Sequence, residues 1–461
     1  MNRRATQPSL LLMSFVLLTT PAPADDTVSW HRQVAPILKG NCLGCHKPGK
    51  AKGGLDMTTH AALMKGSKDG VVIKPGDAKS SPLVEAVCGE EPEMPKDGEP
   101  LTAAEVDIIS RWISQGAKED AATDTGTRRP APPPVYAALP AVHAMAFSPD
   151  GALLAVTGRH EILLHKADGS GIAARLSGDS PRLESVTFSK DGALLAACGG
   201  AVSEFGEIQI WDVAKRELTR SIKASTDSFY GVALSPDKLR AAVGCADKLV
   251  RVFTIADGKE VMKCDNHIDW VFGAAFTNDG QRLATVSRDK AAKLIDIKTG
   301  QLIDDINRPR DPLLCLARHP KDDLVATGGT EGKIRLFKME PRGGRLSEGD
   351  DKENSFVREF EHMASPIHAI AFSADGALIA CGGESGEVRI FKAENGQRVA
   401  LLKGDHGTVF ALAFTADGKL LALGGYDGKI RLHETEKGVL VKEFDSVPLN
   451  GSVNRADVTK P

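Results

Sequence analysis

"AMAFSPDGALLAVTG", residues 144–158, is the stretch on which the fold turns, because the chain keeps returning to it. It recurs as "SVTFSKDGALLAACG" at 185, "GVALSPDKLRAAVGC" at 231 and "GAAFTNDGQRLATVS" at 273. A degenerate "CLARHPKDDLVATGG" follows at 315, then "AIAFSADGALIACGG" at 369 and "ALAFTADGKLLALGG" at 411. Each copy reads as an apolar strand, an Asp-Gly turn, a second strand and a further turn. Outer strands such as "KIRLFK", "EVRIFK" and "KIRLHE" follow in several copies. The seven starts lie 41, 46, 42, 42, 54 and 42 residues apart. A period of that length with four short strands predicts one propeller blade per copy, with edge strands protected by radial packing. The two longer spacings are loop insertions, "GAVSEFGE" in the second copy and "MEPRGGRLSEGDDKENS" in the fifth.

Region 141–445 therefore reads as an all-β, seven-bladed propeller. It resembles the WD-repeat family. Trp211-Asp212 is the one intact WD dipeptide, and His267, His362 and His406 precede the first strand of their copies, where the family carries Gly-His. The resemblance implies a protein-docking platform. The three histidines are expected to hydrogen-bond a tight-turn Asp or Ser of their own blade, with Asp289, Ser287 and Asp427 at the partner positions.

Upstream, residues 25–118 read as a small all-α domain. "SWHRQVAPILKGN" has Ser29 as N-cap and Trp30, Val34, Ile37 and Leu38 at helical spacing, with Pro36 expected to kink this helix or confine it to a shorter run. "SSPLVEAV" places Ser81 at an N-cap and Pro82 at the first helical position. In "LTAAEVDIISRWISQGA", Thr102 and Glu105 form a capping box. Val106, Ile109, Trp112 and Ile113 make one apolar face, and Gly116 ends the helix. Residues 119–140 are a linker whose Ala131 to Pro134 should be extended polyproline, rising ~3.1 Å per residue. Residues 446–461 form a tail.

"NCLGCHKPGK", residues 41–50, carries the chemistry. Cys42-x-x-Cys45-His46 supplies two thiols for one edge of a porphyrin and an imidazole for its iron, and so reads as covalent haem c attachment. A zinc half-site would need two further ligands, and a redox dithiol would sit between a strand and a helix. The segment from Trp30 to Ala117 resembles the planctomycete-type cytochrome c domain. The matching elements are "APILKGNCLGCH", "GKAKGGLDM", "VVIKPGDAKSSPLVEAV", "EMPKDG" and "LTAAEVDIISRWISQGA". The family usually has Met-Pro-Pro where this chain has Met94-Pro95-Lys96. The resemblance implies His46 as proximal and Met94 as distal iron ligand, with Cys42 and Cys45 as the thioether residues. Met57, Met64 and His60 are the other distal candidates. With both axial positions filled, the iron passes electrons and binds no substrate.

The N-terminus "MNRRATQPSLLLMSFVLLTTPAPADD" has a basic start, a short apolar run from Leu10 to Leu18, and Ala22-Pro23-Ala24 before Asp25. Residues 1–24 are thus expected to be a secretory signal, with the mature protein periplasmic or otherwise exported and without a membrane span. The chain has 461 residues, a formal net charge of −3 and no Lys/Arg run, so nucleic acid is not an expected partner. The other six cysteines, Cys88, Cys198, Cys245, Cys264, Cys315 and Cys381, read as small core thiols, with a Cys245–Cys264 bridge as the one alternative. No Walker loop, G-x-S-x-G or H-E-x-x-H occurs.

The reading is an exported monohaem electron carrier with a propeller that docks a redox partner, and more an interaction protein than an enzyme. One rival is a periplasmic oxidoreductase whose propeller holds a second catalytic cofactor. Only His143 and His368, at matching repeat positions, hint at ligands for it. The other is a scaffold or sensor with an auxiliary haem.

Overall fold

The computed structural model describes residues 27–47, 51–89, 92–96, 99–119, 135–341, 355–404 and 407–449. The expected leader, most of the linker, His406, much of the fifth-copy insertion and the end of the tail lie outside them. The chain divides into two compact units between Thr127 and Arg128, inside the stretch read as a linker.

The first unit holds four short helices: α1 (Ala35–Asn41), α2 (His60–Lys65), α3 (Pro82–Val87) and α4 (Ala103–Ser114). Pro36 does not kink the first helix in its middle. A π-turn over Trp30–Val34 comes first, and Pro36 sits in the opening turn of α1. There the missing N–H leaves no hydrogen bond unmade. The Ser29 carbonyl accepts from both Gln33 (3.1 Å) and Val34 (3.3 Å), which widens the turn. Ser81 precedes α3 as expected, but its hydroxyl does not cap that helix. It accepts from the Lys74 N–H (2.8 Å) and donates to the Asp77 carbonyl (2.8 Å), tying down the preceding loop.

The capping box on α4 is formed: Thr102 Oγ1 accepts from the Glu105 N–H (3.3 Å) and Glu105 accepts from the Thr102 N–H (2.8 Å). Below it, Ile109, Trp112 and Ile113 are buried against Trp30, Val34, Leu38 and Leu63. Thr102→Ala should cost this unit about 1 kcal/mol, the usual worth of a lost N-cap. Thermal unfolding followed at the buried Trp112 checks it.

In the second unit the described residues form seven antiparallel sheets of four strands, each paired in sequence order and each drawn from one copy of the repeat. The second strands, such as Leu378–Gly383 and Leu420–Gly425, are buried along nearly their whole length. Each sheet is covered on both faces by its neighbours, so these strands are continuously apolar and show no alternation. The Asp-Gly turns share one device. Ser148 donates to Asp150 (2.5 Å) and accepts from the Leu153 N–H (2.9 Å), and Ser189, Thr277, Ser373 and Thr415 repeat it. These hydroxyl and amide donors hold Asp150 and Asp417 below the usual carboxylate range, and Asp191 is held there by the Lys238 ammonium first and by the same kinds of donor after it. The degenerate fifth copy puts His319 in the hydroxyl's place, its Nδ1 accepting from the Asp322 N–H (3.0 Å).

Among the described residues each blade draws its four strands from its own copy, and no blade shares a strand between the two ends of the chain. Val142 and Met145 of the first blade pack with Ala411, Ala413 and Ala422 of the seventh. Tyr136 lies parallel to Leu449, its N–H on the Pro448 carbonyl (2.7 Å). "VYAAL" and "DSVPL" thus latch the ring together from outside the sheets.

Candidate functional site

Cys42 directly follows α1, and its carbonyl accepts from both Cys45 N–H (3.1 Å) and His46 N–H (3.0 Å). These i+3 and i+4 bonds continue the helix by one turn. The two thiols and the imidazole therefore share one face. Two strapping bonds hold the turn from behind, Lys52 N–H to the Cys45 carbonyl (3.1 Å) and Met57 N–H to the His46 carbonyl (3.0 Å). Met94 is anchored to α3 through its N–H on the Ala86 carbonyl (2.9 Å), and both it and Cys42 pack against the domain's apolar core.

Cys42 and Cys45 are unbridged. Burial pushes the Cys42 thiol up to about 11, the reverse of what a redox dithiol needs, since the thiolate is the attacking species. His46 Nδ1 is buried without a hydrogen-bond partner. Among the described residues no three His, Cys, Asp or Glu side chains are gathered as a metal-binding group, so a zinc site finds no further ligands there. Paired thiols, an imidazole and a thioether against an apolar wall suit a flat apolar macrocycle with iron at its centre.

The rival distal ligands fare differently. His60 packs edge-on against the paired rings of Trp30 and Trp112 (ring centroids 5.2 and 5.9 Å). Its Nε2 donates to the Ala117 carbonyl (2.8 Å), and its Nδ1 lies 3.6 Å from Glu119. The nitrogen bonded to the Ala117 carbonyl and the packed ring make it a structural histidine. Met57 is buried in the core, and Met64 packs partly buried against it.

In the propeller, His267 behaves as expected: Nδ1 lies 2.8 Å from Asp289 and Nε2 2.8 Å from Thr285, which takes the place expected for Ser287. Burial, the largest single influence, raises the Asp289 carboxyl, but the His267 bond and charge, the Ile268 N–H and Lys293 together hold the group below its ordinary range. His362 departs from expectation. It is exposed, and its Nε2 reaches the Glu331 carbonyl of the preceding blade (3.1 Å). Trp211 of the WD dipeptide donates to Gln209 (3.3 Å), which donates to the buried Glu207 (2.9 Å). His143 and His368 do not converge on a ligand: Phe410 stands between them, 5.7 and 5.8 Å from each.

One feature of the repeat escaped the sequence reading. In the third, fifth and seventh blades a turn acid pairs with a base four residues on: Asp247 with Arg251, Glu331 with Arg335 and Asp427 with Arg431, at 2.6–2.8 Å. The signal was present as "DKLVR", "EGKIR" and "DGKIR" at repeat-fixed places.

The sequence profile of the planctomycete cytochrome C family matches residues 42–98, a span that opens on Cys42 and contains Met94. Residues 258–296 match the WD domain, G-beta repeat, and residues 316–406 and 395–450 match the anaphase-promoting complex subunit 4 WD40 domain. The chain joins a planctomycete cytochrome C domain to a WD40 propeller.

Similar proteins include a U3 small nucleolar RNA-associated protein 15 homolog of Xenopus tropicalis, 25% identical over 46% of this chain and 39% of that protein. WD repeat-containing protein 55 of Rattus norvegicus is 25% identical over 35% of this chain and 51% of its own length. Autophagy-related protein 16 of Arabidopsis thaliana is 25% identical over 39% and 34%. The chain spans about half the length of these relatives or less. WD40 propellers serve protein interactions in general, and that much carries over.

Proposed function

We propose that the protein is an exported electron carrier in which one haem is tied to Cys42 and Cys45, with His46 and Met94 on its iron, and in which the propeller docks a redox partner. The observation that carries this is the helical turn placing both thiols and His46 on one face, inside the span matched by a cytochrome family. When bound, the haem supplies a one-electron couple whose potential a methionine ligand raises.

The chain's own residues do the rest. The bonds to the Cys45 and His46 carbonyls fix the turn, so the imidazole is oriented before anything binds. The apolar wall with Cys42, Met94 and Val84 keeps water from the macrocycle, and Ala86 anchors the loop that presents Met94. A proline-rich linker between the two units raises the effective concentration of the carrier at whatever the propeller holds. The leader at 1–24 belongs to the same reading, because thioether attachment is completed outside the cytoplasm.

The test is expression in a host competent for cytochrome maturation, followed by a denaturing gel stained for haem and an oxidised absorption spectrum. The expected result is a stained band at the mature mass and a methionine-to-iron band. Met94→Ala should keep the stain, lose that band and lower the potential. Retention of the band in that variant would move the distal role to Met64 or Met57.

A further inference from the structure

One repeat-fixed residue stands at the start of each blade's first strand, just ahead of it in the first blade and within it in the other six. In order these are His143, Glu184, Tyr230, Phe272, Leu314, His368 and Phe410, all half-buried. Around blades three and four this inner ring continues outward as an aromatic tract. Tyr230 lies 5.4 Å from Phe272 and is stacked on Trp270 at 6.1 Å. Gly231 permits the first approach: its φ is +52°, and a Cβ there would stand 2.4 Å from the Phe272 carbonyl oxygen. Trp270 is 37% exposed and its neighbour Ile268 is 78% exposed. Arg288 lies over the Trp270 ring at 4.2 Å and is fixed by two 2.9 Å bonds to Asp269.

The charges at this end of the propeller are sorted. The turn carboxylates face inward, Asp247 to Arg251 and Asp289 to His267 and Lys293. Asp269 is bound by Arg288, and the exposed Lys248 lies within electrostatic reach of it. What faces outward is a rigid tryptophan, an isoleucine and two cations. Preordered Trp, Tyr and Arg are the side chains that dominate binding energy at interfaces. The guanidinium, already flat against an indole, loses little freedom on meeting a carboxylate.

We propose that the Ile268–Trp270 loop, with Tyr230, Arg288 and Lys248, is the propeller's docking site, and that its occupant is a partner-protein segment carrying an acidic residue beside an apolar one. This rests on the docking role proposed above and assigns it a face and a chemistry. The site lies at the end of the blades where the first strand begins. Leu239, exposed on the turn after the first strand of blade three, lies at the opposite end and serves as control.

The experiment measures fluorescence polarisation of the full-length protein with two labelled peptide pools, one of Glu/Asp with Leu/Phe and one of Lys/Arg with Leu/Phe. The acidic pool should bind and the basic pool should not. Trp270→Ala, and Lys248→Glu with Arg288→Glu, should each weaken binding about tenfold or more, while Leu239→Ala leaves it unchanged. Thermal unfolding of each variant verifies the fold. Preference for the basic pool, no binding of either, or indifference to Trp270→Ala overturns the site. A benzophenone side chain placed at 268 or at 239 in the native host separates this from the wider reading. Adducts at 239 alone leave a docking propeller with the wrong face assigned, and adducts at neither position remove the docking role as well.

Discussion

Replacing Cys42 and Cys45 together with serine should yield a chain that keeps its propeller and loses all haem on denaturation. The two thiols sit three positions apart on a turn whose carbonyls are already bonded, so neither can be supplied from elsewhere. Cys88, the exposed cysteine of the same unit, follows α3 and belongs to another part of the domain. Each single variant should retain one thioether and a weaker stain. His46→Ala separates attachment from ligation: the thioethers can still form, but the iron loses its proximal imidazole and the spectrum changes. The readouts are the haem-stained gel and the pyridine haemochrome spectrum. Undiminished staining in the double variant would place the attachment outside this motif.

The second large effect lies in blade five. Arg335 is 1% exposed, donates two bonds to Glu331 (2.8 and 3.1 Å) and one to Glu359 (2.9 Å). Burial, the largest single influence, raises the Glu331 carboxyl, but Arg335 and Lys333 together hold it below its usual range. Arg335→Ala would leave two partly buried carboxylates facing each other across an empty volume. The cost should be about 3 kcal/mol, the low end for a broken buried pair, because both acids keep some contact with water. That is a large part of the stability of an ordinary domain. Urea unfolding followed in the β-sheet circular dichroism should show the midpoint falling. Replacing Glu331, Arg335 and Glu359 together by apolar residues of similar volume should recover much of the loss. An unchanged midpoint in the single variant would mean that blade packing alone stabilises this sheet.

The parts of the fold that repeat were legible in the sequence, because a repeated turn is a repeated signal. The Ser/Thr-x-Asp-Gly motif fixes the hairpin between the first two strands and marked five blades; the third keeps Ser235-x-Asp237 without the glycine, and the fifth, with His319 in place of the hydroxyl, was legible from its spacing and apolar strands. The capping box at Thr102 was legible for a similar reason, since both halves lie within four residues. Contacts without a local signature were harder to see. Pro36 read as a kink or the limit of a shorter run; the shorter run is what forms, and sequence alone does not show the π-turn that precedes it and leaves proline in a first turn. His60 looked like a free ligand until Trp30 and Trp112, far apart in the chain, packed against it. His362 was assigned a partner within its own blade by analogy with His267, yet it bonds backward to Glu331. The exposed tract at Trp270 depends on neighbouring blades and has no motif of its own. At the Cys42–His46 turn the sequence named the candidate residues, and the structure adds the helical turn on which Cys42, Cys45 and His46 sit and the common core on which Cys42 and Met94 pack.

The most direct test of the central claim is the intact mass of the mature wild-type protein, denatured and freed of non-covalent ligands, after expression with the cytochrome maturation machinery. The account predicts the polypeptide from residue 25 onward plus one haem, in a single species. A mass equal to the bare polypeptide, or to one with Cys42 and Cys45 joined as a disulfide, would contradict it.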